Sequence, residues 1–257
     1  MCTVTWLREP PGYRLFFNRD ELRSRLEAEP PRRAEGRASD GSAVAFLAPV
    51  DGDHGGTWIA TNEHGVTVGL VNGYRRADAS APSDVRSRGL LVRDLAGCRS
   101  VREVEGAVRA VDPDRYRSFR LLAVSPDERL MTAEWDRIAL AVTRDAEDRV
   151  PLISSAFEES EVGAKRRAEY GRVVGTHPDA ERLAAYHRSH ADGPSAYSVC
   201  MHRPEAMTRS LTRVDVDAVR VTMRYHPGPP CETAESAEAS LARNGAPADG
   251  SGRGRTR

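Results

Sequence analysis

The sequence is almost without lysine: Lys165 is the single lysine among 257 residues, and arginine supplies the rest of the positive charge. Lysine and arginine together number 38, as do aspartate and glutamate, so the formal net charge is zero. Because the arginines are interspersed with acidic residues, the pattern is typical of a solvated surface and predicts no nucleic-acid partner. We interpret the scarcity of lysine as a bias in genome composition.

Long apolar runs and closely spaced cysteines are also missing. No stretch approaches the roughly 20 apolar residues of a membrane-spanning helix, and Arg8 interrupts the N-terminal segment before a signal peptide could develop. The four cysteines, at positions 2, 98, 200 and 231, contain no CxxC pair, which argues against a zinc knuckle. The sequence therefore predicts a cytoplasmic protein with reduced thiols, no membrane span and no metal.

An N-terminal hairpin is predicted by two alternating segments on either side of a turn. Residues 2–7 alternate with a period of two, and residues 13–18 form a second strand rich in aromatic side chains. A turn centred at residues 10–11 places Cys2 opposite Arg19. This register brings the ionic residues that follow the second strand back to the end of the hairpin that carries the cysteine.

The rest of the chain predicts more hairpins, separated by helices. The predicted segments are a surface loop at 27–43, strands at 44–49, 55–61 and 66–72, helices capped by Ser83 and Ser100, strands at 119–124, 130–134, 138–143 and 150–154, helices at 160–173 and 178–189, and strands at 196–202, 209–214 and 219–225. Since there is no βαβ alternation, this order favours an α+β layered fold with largely antiparallel sheets. We expect one domain at residues 1–226 and a disordered tail at 227–257, which is rich in Pro, Gly, Ser and Ala.

The second hairpin carries further candidate residues. Its turn places Asn72 opposite Gly55, and the glycines at 55 and 56 allow another segment or a substrate to approach the backbone closely. Trp58 follows directly, and two interpretations are open for it: a core residue or a stacking surface for a ligand. Gly56 and Trp58 are therefore candidate binding residues, together with Asn18 of the first hairpin.

Cys2 directly follows Met1, and removal of the initiator methionine would give this cysteine a free α-amino group. An α-amine has an ordinary pKa of about 7.7–8.0, which suits a general base at neutral pH. The thiol, with an ordinary pKa of about 8.5, is the nucleophile. Arg19 would favour the thiolate, and Asp20 would hold the guanidinium and the ammonium. The amide of Asn72 is the candidate oxyanion donor.

Several segments of the sequence resemble the NRDE family, which includes transport-and-Golgi-organisation protein two and is named after four of these residues. The matching segments are MCTV at 1–4, NRDE at 18–21, GGTW at 55–58, LVNGY at 70–74 and SVCMHR at 198–203. The resemblance covers about residues 1–225, and its N-terminal part is the most specific.

The NRDE family is in turn similar to N-terminal nucleophile hydrolases, most nearly bile salt hydrolase and penicillin V acylase. The resemblance implies an αββα sandwich of two antiparallel sheets, with Cys2 as the nucleophile and Arg19 as a matching arginine. Asp20 and Asn72 correspond to further site residues of that group, with a different spacing for the aspartate. Ser155 stands where the acylases have a second asparagine, and the sequence offers no equivalent of their late arginine.

The implied reaction is hydrolysis of a non-peptide amide, or acyl transfer, through a thioester on Cys2. It needs a small-molecule amide or acyl substrate and no cofactor. The alternative is a non-catalytic protein that binds or traffics haem, acyl-CoA or a lipid in the same pocket, and a third possibility is an interaction module with a degenerate site. Retention of Met1 would exclude hydrolysis because it blocks the amine. The sequence leaves open whether the chain forms a homodimer.

The histidines and remaining cysteines are expected to be structural. His187 and His190 share one face of a predicted helix, but no third ligand has a suitable spacing for a metal or haem site. His202 alternates with Cys200 on a predicted strand and is interpreted as a core histidine. The other cysteines are expected to be buried thiols or thiols of the tail.

Overall fold

The computed structural model describes residues 1–75, residue 78 and residues 85–244, which form thirteen strands and four α-helices. The strands are β1 (Cys2–Glu9), β2 (Gly12–Leu22), β3 (Glu29–Arg37), β4 (Ala43–Val50), β5 (Ile59–Asn62), β6 (Thr67–Asn72), β7 (Phe119–Val124), β8 (Met131–Trp135), β9 (Leu140–Arg144), β10 (Leu152–Ser154), β11 (Ala206–Val216), β12 (Arg220–Pro227) and β13 (Ala237–Ala242). The helices are α1 (Arg88–Leu95), α2 (Val101–Ala110), α3 (Glu159–Val173) and α4 (Ala180–Arg188).

The strands form two antiparallel sheets. The first sheet has six strands in the order β10-β1-β2-β11-β12-β13, and the second has seven in the order β3-β4-β5-β6-β7-β8-β9. The main core lies between them, where Leu15 and Val214 of the first sheet belong to the same buried cluster as Leu47 and Leu122 of the second. The α+β class predicted from the sequence is therefore confirmed.

Helices cover the outer face of each sheet, which gives four layers in the order αββα. Leu91 of α1 and Val104 of α2 pack on the second sheet, and Leu183 of α4 packs with Phe16 on the first. Burial of these apolar faces is the main driving force for the arrangement. No helix in the described part of the chain is both long and apolar enough to cross a membrane.

Strand β1 is buried on both faces, and this explains its mixed sequence. Val4 and Trp6 point into the core between the sheets. Thr3 and Thr5 point towards the helices, where the hydroxyl of Thr3 accepts a hydrogen bond from Arg166 (2.6 Å). Alternation along β1 thus separates an apolar face from a face that makes buried hydrogen bonds.

The register of the first hairpin is the one that the sequence predicts. Cys2 pairs with Arg19, and β2 continues on its other side into a ladder with β11. The second hairpin differs in detail, because pairing begins only at Ile59 opposite Gly69. Gly55 has φ +64°, a left-handed conformation outside the strand, so the predicted pairing of Asn72 with Gly55 is wrong.

Helix α2 begins as the sequence predicts, with the hydroxyl of Ser100 accepting a hydrogen bond from the backbone N–H of Glu103. The preceding helix, α1, begins at Arg88. Ser83, the predicted cap of that helix, lies outside the described residues.

Three predicted segments differ from the structure. Residues 27–43 contain the edge strand β3 and not only a loop, and residues 237–242 form the edge strand β13 inside the predicted disordered tail. Both strands are largely exposed, and β3 contains two prolines, which edge strands tolerate. Residues 196–202 are mostly bends in the connection from α4 to β11. The last predicted tail residues, 245–257, lie outside the described residues.

Candidate active site

The N-terminal residue is buried at the end of the first hairpin. The amino group of Met1 donates hydrogen bonds to the hydroxyl of Tyr74 (3.0 Å) and to the backbone carbonyl of Asp20 (3.2 Å). The backbone N–H of Asp20 donates to the carbonyl of Met1 at 3.0 Å, which extends the β1–β2 ladder by one residue. The Met1 side chain packs against Met201 and Ala206. This arrangement fixes Cys2 at a defined position.

Cys2 lines a first cavity of about 300 Å³ that lies between the sheets and the start of α1. The lining is rich in charged side chains, and the cysteine itself is only 6% exposed. The charged lining residues are Arg19, Asp20, Glu21, Arg25, Asp51, Arg86, Arg88 and Arg117. Five arginines and three acidic residues line the cavity, and this excess of positive charge makes it attractive to an anionic ligand.

Arg19 is held in this cavity by two contacts. Its guanidinium forms an ion pair with Asp51 (Nη2 to Oδ2 2.6 Å) and lies over the ring of Trp58, 4.6 Å from the ring centre. Asp51 also pairs with Arg25 at 3.0 Å. The carboxylate that positions Arg19 is therefore Asp51. The sequence-based assignment of this role to Asp20 is wrong, because neighbouring residues of a strand point to opposite faces.

The carboxylate of Asp20 turns towards the helices. It pairs with Arg166 of α3 (3.0 Å) and accepts a hydrogen bond from the hydroxyl of Thr208 (2.7 Å). The ammonium of Met1 is bound by the backbone carbonyl of Asp20, and the carboxylate raises the pKa of this ammonium only through its charge. Asp20 thus binds the N-terminal ammonium through its backbone, while its carboxylate lies on the opposite face of β2.

A second cavity of about 490 Å³ adjoins the first and is lined by Met1, Tyr74, Phe157 and Met201 among others. The residues that line both cavities are Asp20, Glu21, Asn72 and Arg88. Since Cys2 lines one cavity and Met1 the other, the Met1–Cys2 bond lies near the wall that separates them.

Asn72 lies at the end of a strand beside both cavities. It ends β6, is half-buried and lines both cavities. The strand pairs with Phe119 of β7 at this point, which fixes the backbone of Asn72. The oxyanion role of its amide stays a prediction from the sequence.

Ser155 and Asn18 are engaged elsewhere. The hydroxyl of Ser155 contacts the Met1 thioether and accepts a hydrogen bond from the backbone N–H of Phe157 (3.0 Å), and it lines neither cavity. The fully buried amide of Asn18 donates to the carbonyl of His187 (2.9 Å) and to that of Val199 (3.0 Å). The structure does not support the expected binding role of Asn18, because its side chain ties β2 to the helical layer.

Gly56 has the close backbone contact that the sequence predicts, and the contact is with another chain segment. A Cβ at this position would lie 2.6 Å from the backbone carbonyl carbon of Gly89. The backbone N–H of Thr57 also donates to the carbonyl of Gly89 at 3.0 Å. Gly56 thus allows the start of α1 to form one side of the first cavity.

The protonation states differ from the sequence-based expectation while Met1 is present. Burial raises the pKa of the Cys2 thiol, and the nearby ammonium and Arg19 only partly oppose this effect. Burial alone would lower the pKa of the Met1 amine, but Tyr74, Cys2 and Asp20 outweigh it and raise the pKa to about 10. At neutral pH this form therefore has a neutral thiol, which is a poor nucleophile, and a charged amine, which cannot act as a base.

Sequence reasoning did not identify Tyr74, Arg88 or Arg166. Tyr74 lies two residues after Asn72 in a segment already singled out, so proximity was an available signal. Arg88 and Arg166 belong to helices far from the N-terminal hairpin in sequence, and one arginine among many carries no distinguishing pattern.

Comparisons with known proteins agree with the fold. The family model Transport and Golgi organisation 2 matches residues 1–152. No curated protein sequence matches the chain.

Three solved structures have the same architecture. The penicillin V acylase from Agrobacterium tumefaciens has a TM-score of 0.52 and 14% identity, over 88% of this chain and 83% of that one. A variant of conjugated bile acid hydrolase from Clostridium perfringens has a TM-score of 0.51 and 12% identity, over 95% of this chain and 97% of that one. The Caenorhabditis elegans ortholog of N-acylethanolamine-hydrolyzing acid amidase has a TM-score of 0.57 and 9% identity, over 83% of this chain and 92% of that one. These likenesses show that the chain has the N-terminal nucleophile hydrolase fold.

Proposed function

The chain belongs to the Transport and Golgi organisation 2 family, and from this premise we propose that it is a C–N bond hydrolase or acyl transferase with Cys2 as an N-terminal nucleophile. The substrate is a small non-peptide amide or acyl compound. The observation that carries the proposal is the position of Cys2, which lines a cavity together with Arg19 at the end of the first hairpin.

Removal of Met1 is the first step of the proposal. Met1 lines the second cavity and Cys2 the first, so loss of the methionine would enlarge the second cavity beside Cys2. It would also free the α-amine of Cys2, whose ordinary pKa of about 7.7–8.0 suits a general base at neutral pH. The hydrogen bonds that Met1 now makes to Tyr74 and Asp20 indicate that polar groups for an ammonium are already present nearby.

In the proposed mechanism the α-amine takes the thiol proton while the Cys2 sulfur bonds to the substrate carbonyl carbon. The resulting tetrahedral oxyanion accepts a hydrogen bond from the amide of Asn72. Collapse breaks the C–N bond, and the α-ammonium returns its proton to the leaving amine. Water then attacks the thioester, the α-amine accepts a proton from it, and the acid leaves as the thiol forms again.

The charged lining of the first cavity supports an anionic substrate. Arg25, Arg86, Arg88 and Arg117 contribute guanidinium groups in addition to Arg19. A carboxylate or phosphate at the far end of an amide substrate would be bound by such groups, which form paired hydrogen bonds with planar anions. We therefore propose that whichever part of the substrate carries the anionic group, acyl or amine, binds in the first cavity.

The names of the structural neighbours are consistent with this reaction class. The acylase, the bile acid hydrolase and the acid amidase are named for hydrolysis of amides by those proteins. Their identities of 9–14% with this chain give the fold and leave the substrate open. Cytoplasmic location and a homodimer stay predictions from the sequence.

The binding of Met1 favours a second candidate function. Its amine makes two hydrogen bonds and its side chain is buried against Met201 and Ala206, so a protein that retains Met1 has a stable, blocked site. In that form the arginine-lined cavity would bind an anionic ligand such as acyl-CoA, a lipid or haem without turning it over.

Intact-mass analysis and alkylation separate the two functions. For the hydrolase, we expect a mass without Met1 and an iodoacetamide reaction at Cys2 that is faster than at buried Cys98, with hydrolysis of an N-acyl amide abolished in Cys2→Ala. Retained Met1, or a Cys2 no more reactive than Cys98, would refute the hydrolase. Titration with haem and with acyl-CoA would then test the binding function.

A further inference from the structure

Two loops at one end of the first sheet bring together two histidines and two cysteines. Cys200 and His202 lie on the connection from α4 to β11, where His190 also lies, and Cys231 lies on the connection from β12 to β13. One nitrogen or sulfur atom from each residue lies within 4.8 Å of those of the other three. We call these four residues the four-ligand cluster.

The separations within the cluster are those of ligands around one small ion. The sulfur of Cys231 lies 3.3 Å from that of Cys200 and 3.3 Å from Nε2 of His202, and Cys200 Sγ lies 3.7 Å from the same nitrogen. Tetrahedral zinc with bonds of about 2.3 Å to sulfur and 2.0–2.1 Å to nitrogen would place neighbouring ligand atoms about 3.4–3.8 Å apart. The atoms of Cys200, His202 and Cys231 thus need shifts of only about half an ångström to close around zinc, and the His190 atom, within 4.8 Å of the other three, completes the set.

We propose that the four-ligand cluster is a structural Zn²⁺ site. Two thiolates with two neutral imidazoles form a donor set that selects zinc by ligand type and tetrahedral geometry. Four protein ligands would fill the coordination sphere and leave no position for water or substrate, which is the arrangement of structural zinc sites and not of catalytic ones.

Two features of the side chains in and around the cluster are consistent with a bound metal ion. Nδ1 of His202 lies 3.8 Å from a carboxylate oxygen of Glu232, so this carboxylate can orient the ring while Nε2 faces the two sulfurs. Nε2 of His190 is buried and has no hydrogen-bond partner among the described residues. A buried imidazole nitrogen without a partner is costly unless a ligand binds it.

The ion would join two loops of the chain that are distant in sequence. It would fix the loop before β13 to the loop before β11. Strand β13 is an exposed edge strand of the first sheet. Met201 lies between Cys200 and His202, and its side chain packs on Met1. The proposed zinc would therefore also hold one wall of the second cavity.

Sequence spacing did not reveal the cluster. Cys200 and His202 are close in sequence, but His190 and Cys231 are 10 and 29 residues from the nearer of them, and Cys231 comes from a second loop that only the sheet order β11-β12-β13 brings near. The pairing of His190 with His187, considered from helical spacing, is not realised: His187 is fully buried and bonded to Thr5 and Asn18.

The proposal is tested on the full chain, freed of any affinity tag and purified under reducing conditions. We expect about one zinc per chain by mass spectrometry of the metal, and after exchange with Co²⁺ the visible bands of a tetrahedral site with a thiolate-to-cobalt transition. Because these measurements need no variant, they do not depend on how substitutions affect folding. X-ray absorption would give two sulfur and two nitrogen neighbours.

Substitutions then assign the ligands. Cys231→Ser and His190→Ala should each lower the zinc content at least tenfold in competition with a chelator. His177→Ala, which removes an exposed imidazole outside the cluster, and Cys98→Ser should retain it. Tight zinc binding that is unchanged in Cys231→Ser, a chain that takes up no zinc when reduced, or a Cys200–Cys231 disulfide in the protein isolated from reducing cells would each overturn the proposal.

Discussion

The carboxylate of Asp20 and the guanidinium of Arg166 meet 3.0 Å apart with both side chains completely buried. The pair joins β2, directly behind Arg19 and Met1, to the helix α3 that covers the first sheet. A buried pair of this kind is held by mutual attraction and by further hydrogen bonds, here from Arg166 to Thr3 and from Thr208 to Asp20.

Arg166→Met should therefore be strongly destabilising, because it leaves the Asp20 carboxylate buried without its partner. We expect a loss of about 3–5 kcal/mol in the free energy of unfolding, measured by urea denaturation. The double variant Asp20→Asn with Arg166→Met should recover part of this loss. Arg32→Met breaks an exposed pair with Glu29 and should cost less than about 1 kcal/mol. Equal losses in Arg166→Met and Arg32→Met would contradict the buried-pair interpretation.

Arg19→Gln should slow the alkylation of Cys2. Arg19 is one of the groups that lower the pKa of the thiol, so its loss moves the rate–pH curve to higher pH. Because a smaller fraction of the thiol is then ionised, the rate at pH 8 should be severalfold lower. Arg25→Gln is the matched control, since Arg25 shares Asp51 but does not stack on Trp58. If both variants move the curve equally, Arg19 has no specific effect on the thiol.

The hairpin that carries the site was predictable because its signals are local. Strand alternation and one turn determine the pairing of Cys2 with Arg19, and the structure has that register. Alternation also explains the error over Asp20, since a residue next to Arg19 on the same strand points to the opposite face. The partner of Arg19 is Asp51, which follows β4 in a different sheet.

The parts that sequence reasoning missed depend on long-range packing. Arg166 reaches the hairpin from α3, and the four-ligand cluster depends on how β11, β12 and β13 are ordered. The edge strands β3 and β13 have polar, proline-containing or small-residue sequences, because one side of an edge strand remains exposed. Composition alone therefore predicts loop or disorder for them.

Gly56→Ala should destabilise the wall of the first cavity. The added Cβ would lie 2.6 Å from the backbone of Gly89 at the start of α1, so the loop before β5 or the start of the helix would have to shift. We expect a loss of about 1–3 kcal/mol by thermal or urea unfolding. Gly106→Ala in α2 is the control, because its Cβ meets open space and should stabilise the helix by about 0.5–1 kcal/mol. A neutral Gly56→Ala would show that this contact is not tight.

In the form that retains Met1, stability should fall between pH 8 and pH 10. The pKa of the amine is about 10 in the folded protein and 8.0 as its ordinary value, so the folded state binds the proton more tightly. The contribution is complete below pH 8, is lost as pH rises to 10, and amounts to about 2–3 kcal/mol. Tyr74→Phe removes a hydrogen-bond acceptor of this ammonium, and should make the fall measured by urea unfolding smaller. Tyr13→Phe, which breaks a buried hydrogen bond far from the amine, should lower stability without changing the fall. An identical fall in the wild type and in Tyr74→Phe would exclude Tyr74 as the group that holds the ammonium.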